Sequence, residues 1–240
     1  VRDTSIGQLT VTEADQDPET VSNLLDTISE RLSTQIESLR LLEETERGRQ
    51  QLAKRAAELE TVAKVSTAAA TILDPTALLQ SVVDLTSYSF GLYHSSVYLL
   101  SDDGTELRLA AGSGKIGQKM VEAGYAIPLD SQSVVAQAAQ SYEVEIVADF
   151  SDNPDYTLHP DLPETKSEMA IPMIVADQLI GIVAVEANEA NRFGQDDEQT
   201  YKTLASQTAV ALRNAQLYAE QMATVARLKE LDNMKSAFLA

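Results

Sequence analysis

The sequence predicts an α+β fold: an antiparallel sheet of about six strands with helices packed on it, flanked by long coiled-coil helices. Three observations carry this. Residues 19–73 hold no proline and a single glycine, Gly48, while Leu25, Ile28, Leu32, Leu39 and Leu42 recur at spacings of three, four and seven, the seam of a coiled coil. Residues 95–111 and 169–186 each read as two apolar strands around a short polar turn, the signal of a hairpin. A second long helix begins near Asp196, with Leu204, Thr208, Ala211, Ala215, Tyr218, Met222 and Val225 on one face.

Composition narrows the function classes. The 240 residues suffice for one ordinary domain with helical extensions. With 18 Lys+Arg against 37 Asp+Glu, the net charge of −19 repels a phosphate backbone or an anionic membrane surface. Nucleic acid is therefore not expected as a partner. The longest apolar stretches, 171–175 and 179–185, fall far short of the roughly 20 residues that span a bilayer, so no membrane insertion and no signal peptide are expected. The absence of cysteine removes disulfides, thiolate metal sites and a Cys nucleophile and suits a cytoplasmic setting. His94 and His159 are the two histidines, and neither stands in a cluster with metal-ligand spacing. Val1 suggests a piece of a longer polypeptide.

The elements follow in order. The seam of the first helix loses register across residues 43–51 (EETERGRQQ) and resumes with Leu52, Ala56, Leu59 and Ala63, a phase shift of the kind that locally unwinds or overwinds a supercoil. A continuous helix of this length would form a rod of roughly 75 Å, which cannot bury its own seam; a parallel homodimer is expected. The first strand, 95–100, turns at Ser101-Asp102-Asp103-Gly104 into a second at 107–111. A helix over 132–140 follows the capping residues Asp130 and Ser131, then a strand at 144–147 and a polar loop over 149–166. Strands 169–175 and 179–186 are joined by Ala176-Asp177-Gln178, with Gly181 inside the return strand. The early part of the last helix is expected to pack on the domain and its later part on a partner.

Ser167-Glu168-Met169-Ala170-Ile171-Pro172-Met173, followed by Leu179-Ile180-Gly181-Ile182-Val183-Ala184-Val185, resembles the closing hairpin of a GAF domain. Residues 204–212 and Asn214-Ala215-Gln216-Leu217-Tyr218 resemble the family's final helix, and Asp149-Phe150 with Asp152-Asn153-Pro154-Asp155-Tyr156 its strand-to-loop segment. The resemblance is spread over residues 59–220. Within the chain, Ile6-Gly7-Gln8-Leu9-Thr10-Val11 parallels residues 180–185, and 28–44 parallels 204–220. Residues 1–44 are accordingly expected to be the end of a preceding GAF-like domain, 45–66 a helical linker, 67–220 the GAF domain, and 221–240 a signalling helix. Leu231-Asp232-Asn233-Met234-Lys235-Ser236-Ala237-Phe238-Leu239-Ala240 resembles the start of the dimerisation helix of sensor histidine kinases. That resemblance implies a downstream kinase domain in the same parent chain, with a phosphoaccepting histidine just beyond residue 240, and a role in two-component signal transduction.

No enzymatic constellation is evident: there is no nucleophile with its base, no paired acids and no phosphate cradle. Ala111-Gly112-Ser113-Gly114 lacks the P-loop's lysine at the required position and reads as the end of a strand and a turn. Asp196-Asp197-Glu198 suits the N-terminus of a helix. Cyclic-nucleotide-binding GAF domains carry an Asn-Lys, a later Phe and an acidic pair; Asn188, Phe193, Asp197 and Glu198 match, but Glu189 replaces the lysine, which disfavours a cyclic nucleotide. Covalent attachment of a bilin is excluded for want of Cys, and haem on His159 is disfavoured because a lone loop histidine is usually solvated. The identity of any cofactor stays unknown. By resemblance, a pocket between the sheet and its polar loops would be lined by Tyr125, Asp149, Phe150, Tyr156, His159 and Glu168, aromatics stacking on a small ligand while the acids accept its donors. Two readings stand side by side: a ligand-binding sensor relaying through its helices, or a ligand-free dimerisation spacer in which Phe150 and Tyr156 close an empty core.

Overall fold

In the computed structural model, residues 18–239 are described. They form α1 (Pro18–Thr71), α2 (Pro75–Phe90), β1 (His94–Leu100), β2 (Glu106–Gly112), α3 (Gly114–Glu122), β3 (Ala126–Pro128), α4 (Val134–Ser141), β4 (Glu145–Val147), a 3-10 turn (Phe150–Asp152), β5 (Ser167–Val175), β6 (Gln178–Ala187) and α5 (Gln195–Leu239). The expected strand at residues 6–11 lies outside the described residues. The chain divides into two compact units, residues 1–56 and 57–240. In the first unit the described part is α1 alone, with Leu32, Leu39, Leu42 and Leu52 all exposed. The polar stretch 43–51 is helical throughout: Thr45 donates to the Leu41 carbonyl, and Arg49 pairs with Glu46 at 2.7 Å. Any phase shift there is a change of seam, not a break in the helix.

The second unit is built on one six-stranded sheet in the order β3-β2-β1-β6-β5-β4, with every neighbouring pair antiparallel. Strand alternation divides its side chains between two faces. Val97, Met169, Ile171, Val183 and Val185 turn toward α2, the start of α5 and Val65 of α1. Tyr98, Leu107, Leu109, Ala170, Ile182 and Ala184 turn toward α3, α4 and the loop after β4.

Three elements escape the sequence reading, each for a local reason. α2 opens on Asp74, whose carboxylate accepts the Ala77 amide at 2.7 Å with Pro75 in the first turn, a standard start signal hidden by the continuous helix before it. α3 follows the glycine-rich turn because Gly112 and Gly117 bring strand and helix backbones together; a Cβ on Gly117 would lie 2.1 Å from the Gly112 carbonyl carbon. β3 has only three residues, too few to show a period.

The closing hairpin differs from the sequence reading in its turn. Gln178 pairs with Val175, so the turn is the two residues Ala176 and Asp177, both at positive φ, and Gln178 begins the strand. Two-residue turns with both φ positive favour Asn-Gly, since a Cβ there is strained. Asp177→Gly is expected to raise stability by about 0.5–1 kcal/mol, read as a higher urea midpoint at unchanged slope.

In α5, Leu204, Thr208, Ala211 and Ala215 are buried, whereas Tyr218, Met222 and Val225 are exposed. The helix leaves the domain after Ala215, as its apolar pattern predicts. Among the described residues no helix is long and apolar enough to cross a membrane.

Candidate functional site

The closing hairpin sets Glu168 of β5 directly opposite Glu186 of β6, and β1 sets His94 opposite Glu186 on the other side. Cross-strand partners point to the same face, so three ionisable side chains form a row across one end of the strands β1, β6 and β5. Ser113 extends it, its Oγ 3.3 Å from His94 Nδ1. One and two steps along β1, Ser96 and Tyr98 share this face.

The loop over residues 150–166 covers the row. Phe150 donates its amide to the Lys166 carbonyl, Lys166 to Ala187, and Asn191 to Ala148, which pins the loop between the ends of β4 and β6. Thr165 Oγ1 donates to Glu186 Oε2 at 2.5 Å. The Tyr125 and His159 rings meet edge to face at 4.2 Å, and Tyr98 approaches Tyr125 at 6.4 Å. Phe150 and Tyr156 form a second edge contact at 6.4 Å, with the Tyr156 hydroxyl donating to Gln137 Oε1 at 2.7 Å.

The electrostatics of the row are unusual. Burial pushes the Glu168 carboxyl well above the usual carboxylate range, and the Glu186 charge adds to the effect. Burial raises Glu186 to about 7, opposed by the Thr165 hydrogen bond. Two carboxylates in such proximity cannot both ionise cheaply, so the pair keeps a proton near neutrality. Among the described residues neither makes an ion pair, and Glu168 accepts no hydrogen bond. Glu168 lies deep within the domain yet retains accessible surface. His94 is lowered to about 4, by burial first and His159 second, and is neutral. Its Nε2 is buried without a hydrogen-bond partner, whereas Ser96 lies beside the Tyr98 hydroxyl. Tyr98 is raised by burial and then by Glu186.

Of the residues named from sequence, Tyr125, His159 and Glu168 come together around the row: Glu168 acts on the Tyr125 phenol, and Tyr125 packs on His159. Tyr156 and Phe150 flank it, and Glu168 also acts on Tyr156. Phe150 is buried. His159 is not a solvated loop residue; it is half-buried, and its Nδ1 accepts the Asp161 amide at 3.0 Å. Asp149 does not join the group. Its carboxylate caps the 3-10 turn, accepting both the amide and hydroxyl of Ser151, and the charge acting on it is that of Lys166.

Sequence reasoning missed Glu186, His94, Ser96, Tyr98 and Thr165. A glutamate within an otherwise apolar strand was the available signal for Glu186. Phe193 is buried against Tyr201, with Arg192 5.5 Å from its ring and 3.8 Å from Asp197; these residues fasten the start of α5. Among the described residues no group of three His, Cys, Asp or Glu could hold a metal. A shallow groove of about 500 Å³, lined by Tyr142, Glu143, Pro172, Glu198 and Lys202, lies apart from the row.

Comparison with known proteins agrees with this architecture. No curated protein matches the chain. Similar solved structures include the GAF domain of a phosphoenolpyruvate-protein phosphotransferase from Coxiella burnetii, 20% identical, with a TM-score of 0.62 over 69% of this chain and 98% of that one. Free methionine-R-sulfoxide reductase from Neisseria meningitidis, in complex with its substrate, is 21% identical, with a TM-score of 0.60 over 69% of this chain and 93% of that one. Part of a methyl-accepting chemotaxis protein is 23% identical, with a TM-score of 0.56 over 64% of this chain and 98% of that one. Likenesses at these identities establish the fold. The model of the GAF domain matches residues 72–213, more than half of the sequence, and the chain belongs to the GAF domain family.

Proposed function

We propose that this chain is a sensory GAF module that takes a small ligand against the Glu168, Glu186 and His94 row and relays its occupancy through α1 and α5 of a parallel homodimer to a downstream histidine kinase. The observation that carries the reading is the continuity between site and output helix. Glu186 lies at the end of β6, and the following link is fastened by Ser167 Oγ to the Glu189 carbonyl and by Arg192 to Asp197 at the head of α5. A ligand that displaces Glu186 or Thr165 acts on that link directly. Farther along α5, Leu217, Tyr218, Val225, Leu228 and Leu231 form an exposed apolar stripe at spacings a parallel partner helix would cover. A ligand shifts such a pair of helices only by binding their two arrangements with different affinity.

The likeness to a methionine-R-sulfoxide reductase raises enzymatic reduction as a second reading. The chain has no cysteine, so no thiol of its own can supply the electrons, and binding without turnover is the reading we retain. The cysteine-free sequence also permits a clean test. Single cysteines at Leu217, Tyr218, Val225 and Leu228 are expected to crosslink between copies with a heptad pattern that changes when the site is filled. A pattern unaltered by every bound molecule, together with melting that ignores them, would leave only a ligand-free dimerisation spacer.

A further inference from the structure

We infer that the site takes the cationic end of an organic molecule, an ammonium or amidinium, seated between Glu168 and Glu186 with its apolar body against Tyr125 and His159. The inference rests on the small-ligand reading above and adds the chemical class. Like charges directly opposite in a sheet are unfavourable, and buried carboxylates are ordinarily paired with a cation. Here the two face each other in register, and among the described residues no Lys or Arg answers them. Thr165 gives Glu186 one hydrogen bond, and Glu168 receives none. A second, independent feature points to a guest. His94 Nε2, on a side chain 2% exposed on the same face, has no partner, and such an atom is costly unless something polar satisfies it. Tyr125 and His159 are half-buried where the row is covered, and aromatic faces attract organic cations. A bare metal ion suits the row less well, since no third ligand is placed to complete a set.

Benzamidine, neutral benzamide and anionic benzoate are matched in shape, and NMR titration of the intact chain with each separates charge from fit. Benzamidine is expected to bind at least about tenfold tighter than benzamide, and Glu168→Gln and Glu186→Gln should each weaken it about tenfold or more while remaining folded by circular dichroism. Because the cation displaces the proton held by the pair, benzamidine affinity in the unmutated chain should rise with pH through neutrality and then level off. The other groups facing the pair stay neutral there: His94 and His159 are lowered, Tyr98, Tyr125 and Tyr156 are raised. Benzamide or benzoate binding as tightly as benzamidine would overturn the cationic class while leaving the small-ligand reading intact. Absence of saturable benzamidine binding, or binding independent of pH and of both glutamates, would also overturn it. The small-ligand reading is judged separately by whether the purified chain retains any small molecule.

Discussion

Glu186→Gln is expected to melt higher than the parent sequence above neutral pH, by about 5–10 °C at pH 8. The sign follows from proton linkage. A carboxyl whose folded value is about 7 against an ordinary 4.5 binds its proton more tightly when folded. Its stabilisation is complete below 4.5 and is lost as pH rises through 7. Each unit of difference corresponds to about 1.4 kcal/mol, so the loss is about 3 kcal/mol, and for a domain of this size each kcal/mol moves the melting temperature by about 2–4 °C. His94 has the opposite slope. Its folded value near 4 against 6.5 means that acid favours the unfolded chain below 6.5. Between 4.5 and 6.5 the two effects oppose each other, and the loss emerges above that range, extended by Glu168. Glutamine keeps an acceptor for Thr165 and removes the charge. Melting curves across pH for both proteins check this; parallel profiles would show that the carboxylates are not coupled to folding.

Gly181→Ala is expected to cost about 3–5 kcal/mol and to remove most folded protein at 37 °C. Gly181 lies opposite Leu99, and a Cβ there would meet the Tyr98 carbonyl oxygen at 2.0 Å and the Leu99 Cα at 3.0 Å. These are backbone atoms of the central strand pair, so no side chain can rotate out of the way; β1 and β6 would have to separate, displacing Tyr98 and the row beside it. Gly48→Ala is the control. Nothing lies within 4 Å of a Cβ at that position in α1, and the change should be neutral or add up to about 1 kcal/mol. Urea denaturation of both variants decides it, and a Gly181→Ala midpoint equal to the parent's would contradict the close approach of the two strands.

These two sites show how much was legible in the sequence. Strand positions were readable because alternating apolar residues mark both faces of β1, β5 and β6, and the departure of α5 from the domain was readable in the change from Ala211 and Ala215 to Tyr218 and Met222. Glu168 was readable as a candidate because it sits in the hairpin that resembles the family's. Its partner was not. The two-residue turn at Ala176 and Asp177 would by itself set Val185 against Glu168; a register shift between Met173 and Ile174, which no local pattern announces, brings Glu186 opposite instead. His94, Ser96 and Tyr98 depend in turn on the pairing of β1 with β6, a contact between segments more than 80 residues apart in sequence that no local pattern encodes. Asp149 was misplaced for the converse reason: an acid in a loop suggests a ligand, yet two residues on stands Ser151, whose amide and hydroxyl engage it locally.

Native mass spectrometry of the purified chain tests the central claim most directly, because one spectrum reports both the oligomer and any small molecule it retains. The sensor account predicts a dimer carrying a defined extra mass, lost in Glu168→Gln and Glu186→Gln. A monomer would contradict the relay through paired helices, and a dimer that neither retains nor takes up any small molecule would contradict the sensor itself.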